Sequence, residues 1–280
     1  MSLVNLKNIL SQAETENYGV GSFDVFNIEM LKGVLDAAEE ARSPVILAYA
    51  EVFEEFVEIE SFAPVMIRMA QKATVPVAVH LDHATSLEFI LRAVYSGFSS
   101  VMIDASEKPF KDNVAITKQV MQICRTFDVS VEAELGHVSG GEGLYNNDEY
   151  IYTDVSEAKM FVEETGVDAL ALAIGTVHGV YKSTPKLSID RLKAIKDIVK
   201  IPLVLHGGSG LTDGDFRNTI ANGVSKVNIF TDLMLAAQES LRNQQDEKVL
   251  YFNQCINAAD AVKNETIKKM LVFGSNGKAD

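Results

Sequence analysis

Three of the five histidines stand at the ends of apolar, strand-like runs, directly before residues that are typical of turns and helix starts. They are His83 in VAVHLDHAT, His178 in ALALAIGTVHG and His206 in IPLVLHGGSG. A single buried His is more often a hydrogen-bonded core residue than a zinc ligand, but three in the same context favour one metal site. In a parallel α/β barrel the carboxyl ends of the strands gather around one axis, so residues distant in sequence can meet there.

An acidic residue, Asp82, directly precedes the first of these histidines. Asp82 could orient a ligand His, exchange a proton with a bound substrate, or cap the following helix. Successive strand residues point to opposite faces, so we expect Asp82 and His83 both to line a site only where the strand has ended, after Leu81. His80 shares the parity of Asp82, and we interpret it as a core residue or a residue that supports a ligand.

Two Gly-rich or polar strand ends could bind a phosphate. The segment His206–Gly210 offers backbone amides with little steric obstruction, although such a turn is often only a turn. One strand later, VNIFTD carries Asn228, Thr231 and Asp232 at a polar strand end that opens a helix. Loops after strands seven and eight are a recurring phosphate site in barrels. Lys182 could add a positive charge or be a solvated surface lysine.

Further acidic side chains stand at two other strand ends. Asp104 ends the fourth strand in VMIDAS, and Glu132 and Glu134 end the fifth; each could be a helix cap, a solvated strand end or a residue in or beside a metal site. The following segment, up to Asp154, is too polar and Gly-rich for a simple turn, so we predict a mobile active-site loop. Glu142, within it, looks by itself like surface charge.

The elements that must position these side chains alternate regularly between β-rich runs and helical patterns. The predicted strands are Val20–Phe23, Val45–Ala48, Val77–Leu81, Ser100–Ile103, Val129–Glu134, Ala169–Ala173, Leu203–Leu205 and Lys226–Ile229. The predicted helices include Asn27–Ala41, Ile59–Gln71, Ser86–Tyr95, Lys111–Thr126, Val155–Glu164, Ile189–Val199 and Asp213–Ala221.

Eight strands in 280 residues favour one α/β domain over residues 1–280, folded as a (β/α)8 TIM barrel. The alternative, an open dinucleotide-binding sheet, lacks a GxGxxG motif after the first strand. An additional C-terminal helical segment, from about Asp246 to Val272, exceeds what a barrel requires, and we expect it to cap the barrel or to join a subunit interface.

The amino-acid composition argues against several classes of partner and of site. With 25 basic and 39 acidic residues the formal net charge is −14, which argues against nucleic acid or an anionic membrane as the main partner. Cys124 and Cys255 form no CxxC pair, so neither a disulfide scaffold nor a thiolate zinc site is indicated. The sequence shows no membrane-spanning run and no signal peptide, so we expect a cytoplasmic protein.

Taken together, these motifs resemble the class II, metal-dependent fructose-bisphosphate and tagatose-bisphosphate aldolases over nearly the whole chain. The matching segments, in order, are GSFDVFNIEML, PVAVHLDHAT, GFSSVMIDAS, VEAELGHVSGGE, FVEETGVDALALAIGTVHGVYK, IPLVLHGGSG, KVNIFTDL and FGSNGKA. The resemblance implies reversible cleavage of a ketose phosphate or bisphosphate to dihydroxyacetone phosphate and an aldehyde. It also implies a homodimer or homotetramer.

The resemblance assigns roles to individual residues. It implies that His83, His178 and His206 bind the catalytic zinc, and that Asp82 donates a proton at the aldehyde oxygen. Asp104 and Glu134 would hold a second divalent or a monovalent cation, or an alternative metal position, and Glu142 would move the substrate carbon proton. The substrate-binding residues would be Gly179, Lys182, Gly207, Gly208, Ser209, Asn228, Ile229, Phe230 and Thr231.

The residue types suit this chemistry, because a zinc ion can stabilise the enediolate left by carbon–carbon cleavage. One alternative is a sugar-phosphate-binding barrel without catalysis, although binding alone needs no proton-transfer groups. A metal-dependent hydrolase is another, but such barrels commonly bring an HxH pair from one strand, and this sequence has none.

The sequence departs from the family pattern on the side of the aldehyde. Where many family members read GAFN in the first strand, this chain has Gly21-Ser22-Phe23-Asp24, and its second βα loop reads AYAEVF, which contains Glu51. No basic DPR-like segment precedes the last helix. Both carboxylates would repel a second phosphate placed nearby. We therefore predict weak activity on fructose and tagatose bisphosphates.

Overall fold

The computed structural model of the chain describes residues 2–138, 152–179, 181, 185–244 and 249–279. Its strands are parallel and close in sequential order into a barrel, in which the last strand pairs with the first. They are β1 Val20–Asp24, β2 Val45–Ala50, β3 Val77–Ala84, β4 Ser100–Ile103, β5 Ser130–Leu135, β6 Ala169–Leu172, β7 Leu203–Leu205 and β8 Val224–Ile229. The predicted TIM barrel is confirmed.

Helices alternate with these strands and cover the barrel. They are α1 Leu6–Glu16, α2 Ile28–Ala41, α3 Ile59–Lys72, α4 Leu87–Tyr95, α5 Phe110–Cys124, α6 Val155–Thr165, α7 Ile189–Ile198, α8 Asp213–Ala221, α9 Thr231–Arg242 and α10 Tyr251–Phe273. Two short 3-10 helices, Glu51–Glu55 and Arg125–Phe127, follow β2 and α5. Within the described ranges, no helix is long and apolar enough to cross a membrane.

Helix α1, which is absent from the predicted helices, closes the end of the barrel at which the strands begin. Its apolar face, including Leu6 and Leu10, packs against the first residues of several strands, such as Val20 and Ala78. Asn5 caps α1 by accepting a hydrogen bond from the backbone N–H of Asn8 at 3.0 Å. The opposite end, where the strands finish, therefore carries the polar side chains.

The predicted C-terminal helix is present as α10 and packs along the outer wall of the barrel against α2 and α9. The approach to α2 is close at Gly33, where an added Cβ would lie 2.6 Å from the carbonyl oxygen of Ala259. A glycine is therefore required for this helix pair to pack. The described part of the helix begins at Tyr251, and residues 245–248 lie outside the described ranges.

Candidate active site

A distortion of β3 brings Asp82 and His83 to the same side. The strand does not end at Leu81, as predicted, but continues to Ala84, and its register with β4 shifts between these two residues. His83 has a φ of 48°, in the left-handed region that non-glycine residues seldom occupy. A bulge of this kind re-aims a side chain, and it places His83 Nε2 3.8 Å from Asp82 Oδ2.

The three predicted metal-binding histidines converge. His83 comes from β3, His206 directly follows β7, and His178 lies in the segment after β6. The ring centroids of His83 and His178 are 4.9 Å apart, those of His83 and His206 are 4.6 Å apart, and those of His178 and His206 are 5.9 Å apart. One ring nitrogen of each lies within 4.8 Å of the others, so the three could share one ion.

Carboxylates orient two of these rings. His83 Nδ1 lies 2.8 Å from Asp104 Oδ2, and His206 Nε2 lies 2.8 Å from Glu132 Oε1. The remaining nitrogens, His83 Nε2 and His206 Nδ1, face each other at 2.8 Å. A carboxylate on one ring nitrogen fixes the other toward a metal, which is the usual arrangement around ligating histidines.

The electrostatics of the cluster suit a divalent cation. Burial lowers the pKa of His178 to about 3 and also lowers that of His206, and the charge of His83 adds to both shifts. Burial also disfavours the charged form of His83, but Asp82 and Asp104 outweigh it and raise that pKa well above its ordinary value. Two neutral imidazoles and nearby carboxylates form a donor set that fits zinc.

Asp104 and Glu134 form a second candidate cation position with His83, because the three ligand atoms lie within 4.8 Å of one another. Ser106 donates from its backbone N–H and its hydroxyl to Asp104 Oδ1, at 3.0 and 2.7 Å. Glu134 accepts from the N–H of Val138 at 2.9 Å through one oxygen, and its other oxygen is buried without a hydrogen-bond partner among the described residues. Burial and the charge of Asp104 raise the pKa of Glu134 to about 8. A cation there would relieve both effects.

Below the histidines, a buried ion pair crosses the barrel interior. Lys226 Nζ lies 2.7 Å from Glu132 Oε2 and 3.3 Å from His80 Nε2, and all three side chains are completely buried. Glu132 is therefore neither a helix cap nor a solvated strand end; it links Lys226 to His206. Lys226 was not among the predicted site residues, although its spacing of two from Asn228 places both on one face of β8.

Asp82 is held as a carboxylate beside the histidines. Asn228 Nδ2 lies 3.1 Å from each of its oxygens, and both side chains are buried. Burial raises the pKa of Asp82, but nearby positive charges, first that of His83 and also that of Lys226, outweigh it and hold this pKa below its ordinary value. Asp82 is consequently ionised and can accept a proton.

Most of the residues predicted to bind phosphate line one small cavity on one side of the histidines. The lining includes Gly179, Gly207, Gly208, Ser209, Asn228, Phe230 and Thr231, together with Asp24, Asp82 and His178. Ile229 does not belong to it, because its side chain is completely buried in the hydrophobic core. Gly207 has a φ of 65°, and a Cβ there would lie 2.4 Å from the carbonyl oxygen of Val177, so only glycine fits this turn.

A larger cavity, of about 530 Å³, opens on the other side of the histidines. Its lining includes Glu51 and His137. His137, whose Nδ1 lies 2.9 Å from Ser106 Oγ, was not among the predicted site residues. Glu142 and Lys182, which we predicted as a catalytic and a substrate-binding residue, lie outside the described residues. So does most of the predicted mobile loop.

Comparisons with known proteins agree with this geometry. The family model for class-II fructose-bisphosphate aldolases matches residues 4–278. A fructose-bisphosphate aldolase of Geobacillus stearothermophilus is 42% identical over 100% of this chain and 99% of its own length. The protein YdjI of Escherichia coli K12 is 43% identical over 99% of this chain and 100% of its own.

Solved structures extend the similarity to the fold. The crystal structure of the YdjI aldolase from Escherichia coli K12 superposes with a TM-score of 0.91 and 40% identity, covering 99% of this chain and 100% of that one. A fructose-bisphosphate aldolase from Campylobacter jejuni superposes with a TM-score of 0.85 over 99% of this chain and 97% of that one; at 23% identity it supports the fold alone. Strands, histidines and sequence similarity together place the chain in the class-II fructose-bisphosphate aldolase family, so it is an aldolase, a carbon–carbon lyase whose substrates are sugar phosphates.

Proposed function

We propose that this chain reversibly cleaves a ketose phosphate to dihydroxyacetone phosphate and an aldehyde, and that His83, His178 and His206 hold a catalytic zinc ion. The observation that carries the proposal is the convergence of three imidazoles beside one ionised carboxylate, Asp82. When bound, zinc supplies Lewis-acid stabilisation of the negative charge that develops on the substrate oxygens. Asp104 and Glu134 would hold an alternative metal position or a second cation.

In the cleavage direction, Asp82 accepts the proton of the C4 hydroxyl while the C3–C4 bond breaks and the electron pair of that bond remains on the C3 side. Asn228 supports this step because it holds both Asp82 oxygens at 3.1 Å. A proton returned to C3 then completes dihydroxyacetone phosphate, and we assign that transfer to Glu142 on the strength of the family resemblance alone. Aldol addition is the reverse, so no external oxidant or co-reactant is needed.

The phosphate of the three-carbon half belongs in the small cavity. Two of the backbone amides there already donate within the protein, Gly208 N–H to the Asn228 carbonyl at 3.2 Å and Phe230 N–H to Ser209 Oγ at 3.3 Å. We therefore assign the phosphate contacts to Gly179, Gly207 and Thr231. Thr231 is the first residue of α9, and at a helix N-terminus the backbone N–H groups and the helix dipole favour an anion. The predicted Lys182 would add to this site.

The test is formation of dihydroxyacetone phosphate from a panel of ketose phosphates, with and without a chelator. We expect the chelator to abolish turnover and added zinc to restore it. Asp82→Asn should lower kcat by about 10²- to 10⁴-fold while zinc content stays unchanged, because a proton-transfer group is lost and no ligand is. Asp112→Asn, an exposed aspartate in the first turn of α5, is the matched control and should retain full activity.

Two results would contradict the proposal. Turnover that persists in the metal-free protein would exclude a catalytic metal, and an Asp82→Asn variant as active as Asp112→Asn would exclude Asp82 as the proton acceptor. Tight zinc binding without cleavage of any ketose phosphate would instead favour a sugar-phosphate-binding barrel without catalysis.

A further inference from the structure

The histidine cluster divides the open end of the barrel into two compartments. His178 lines both the small cavity, which contains Gly207 and Thr231, and the larger cavity, which contains Glu51 and Thr85. A ketose whose C1 phosphate occupies the small cavity must therefore extend its remaining carbons past the histidines into the larger one. The side chains of the larger cavity then determine which aldehydes are accepted.

Glu51 is fixed at the wall of this larger cavity. It begins the 3-10 helix that follows β2, and the backbone N–H of Thr85 donates to its Oε2 at 2.6 Å. The Thr85 hydroxyl also lies 3.3 and 3.2 Å from the two carboxylate oxygens. Thr85 directly follows β3, the strand of Asp82 and His83, so the carboxylate cannot turn away without breaking its attachment to the strand that carries the proposed chemistry.

The charge of the larger cavity is unfavourable for an anion. Glu51, Glu55 and Asp104 line it, and its described lining contains neither Lys nor Arg. His83 also lines it, but this ring is already paired with Asp104 at 2.8 Å. A phosphate monoester carries about −1.5 to −2 charges at pH 7, and like charges placed together without a counter-ion oppose binding. Hydroxyl groups are suited to the same wall, because carboxylate oxygens accept their hydrogen bonds. Asp24, which we expected on the side of the aldehyde, lines the small cavity instead, so that expectation was wrong. The small cavity therefore also contains carboxylates, but its glycine backbone N–H groups and the N-terminus of α9 favour an anion there.

We propose that the larger cavity selects a hydroxyl-bearing aldehyde without a phosphate, so that the preferred substrate is a ketose 1-phosphate and Glu51 rejects a ketose bisphosphate. This inference rests on the proposed aldolase activity and specifies its substrate class. Thr85 acts as a positioning residue, since it holds the carboxylate in the cavity.

The test compares kcat/KM for fructose 1-phosphate and tagatose 1-phosphate with kcat/KM for the corresponding 1,6-bisphosphates, using the zinc-loaded enzyme. We expect the monophosphates to be preferred by at least about tenfold. Glu51→Gln should raise the bisphosphate-to-monophosphate ratio by about tenfold, mainly through KM for the bisphosphate. Glu58→Gln, which removes the same charge from an exposed residue a few positions further on, should leave that ratio unchanged.

Three results would overturn this inference, and the third would also overturn the proposed function. A wild-type preference for the bisphosphates overturns the acceptor assignment but leaves the proposed function intact, and this measurement needs no variant to fold. Equal shifts of the ratio in Glu51→Gln and Glu58→Gln would also overturn it, because the effect would then be one of net charge. If neither class of ketose yields dihydroxyacetone phosphate, the proposed function fails, and this inference fails with it.

Discussion

Replacing Lys226 with methionine tests whether the buried ion pair under the histidines supports the fold. Lys226 Nζ lies 2.7 Å from Glu132 Oε2, and neither side chain has any exposed area. Methionine has a similar length and no charge, so the substitution leaves a buried carboxylate that has lost its cationic partner. Removing one member of a buried pair costs about 3 to 5 kcal/mol.

The expected loss is at the lower end of that range, about 3 kcal/mol, because Glu132 keeps its 2.8 Å contact with His206. A loss of this size lowers the melting temperature of a chain this long by roughly 6 to 12 °C. Burial raises the pKa of Glu132, and in the wild type Lys226, the hydrogen bond with His206 and His80 together outweigh it. Without Lys226 that pKa rises above its unfolded value, so the variant is least destabilised at low pH and loses stability as pH increases.

The measurement is urea unfolding, followed by circular dichroism at several pH values. Lys118→Met is the matched control, because Lys118 pairs with Glu164 at 2.8 Å on the surface, with the two side chains 42% and 50% exposed. That control should cost less than about 1 kcal/mol. If Lys226→Met costs no more than Lys118→Met, or if its deficit shrinks as pH rises, the interpretation of this pair is wrong.

Two further substitutions test the site itself. Glu132→Gln should weaken zinc binding by about 10- to 100-fold, measured by competition with a chelator, because the carboxylate that orients His206 is lost; undiminished affinity would show that Glu132 has no orienting role. Gly207→Ala should raise KM and destabilise the fold, because its Cβ would lie 2.4 Å from the Val177 carbonyl oxygen. Gly277→Ala is the matched control, because Gly277 also has a positive φ, of 72°, but an added Cβ there would have no atom within 4 Å. Equal effects of the two substitutions on KM would rule out the contact with Val177 as the cause.

The barrel was predictable because its signals are local. Alternating β-rich runs and helical patterns gave the strands of the barrel, and the predicted bounds of Ser100–Ile103 and Leu203–Leu205 match the structure. Helix α1 was missed although Leu6, Ile9, Leu10 and Ala13 have helical spacing, because no strand precedes it and the βα repeat does not require it. Its role in closing the barrel depends on tertiary contacts.

The sequence predicted most residues of the site, but it predicted less of their geometry. Strand-end position and family motifs identified the three histidines and Asp82. The bulge at His83 was not predictable, because nothing in the residue type indicates a left-handed backbone there. Lys226 was missed because lysine is rarely buried unless it is paired, and its partner Glu132 is 94 residues away on a strand that is not its neighbour.

The buried ion pair is better explained by the histidine cluster than by stability. An apolar replacement of a buried pair is often neutral or stabilising, so folding alone does not require Lys226 and Glu132. However, a carboxylate is needed to accept from His206 Nε2 and turn Nδ1 toward His83, and a buried carboxylate needs a cation. The double variant Lys226→Met/Glu132→Gln should therefore recover part of the stability lost in Lys226→Met while zinc affinity stays as low as in Glu132→Gln. Recovery of both would mean that the pair does not serve the metal site.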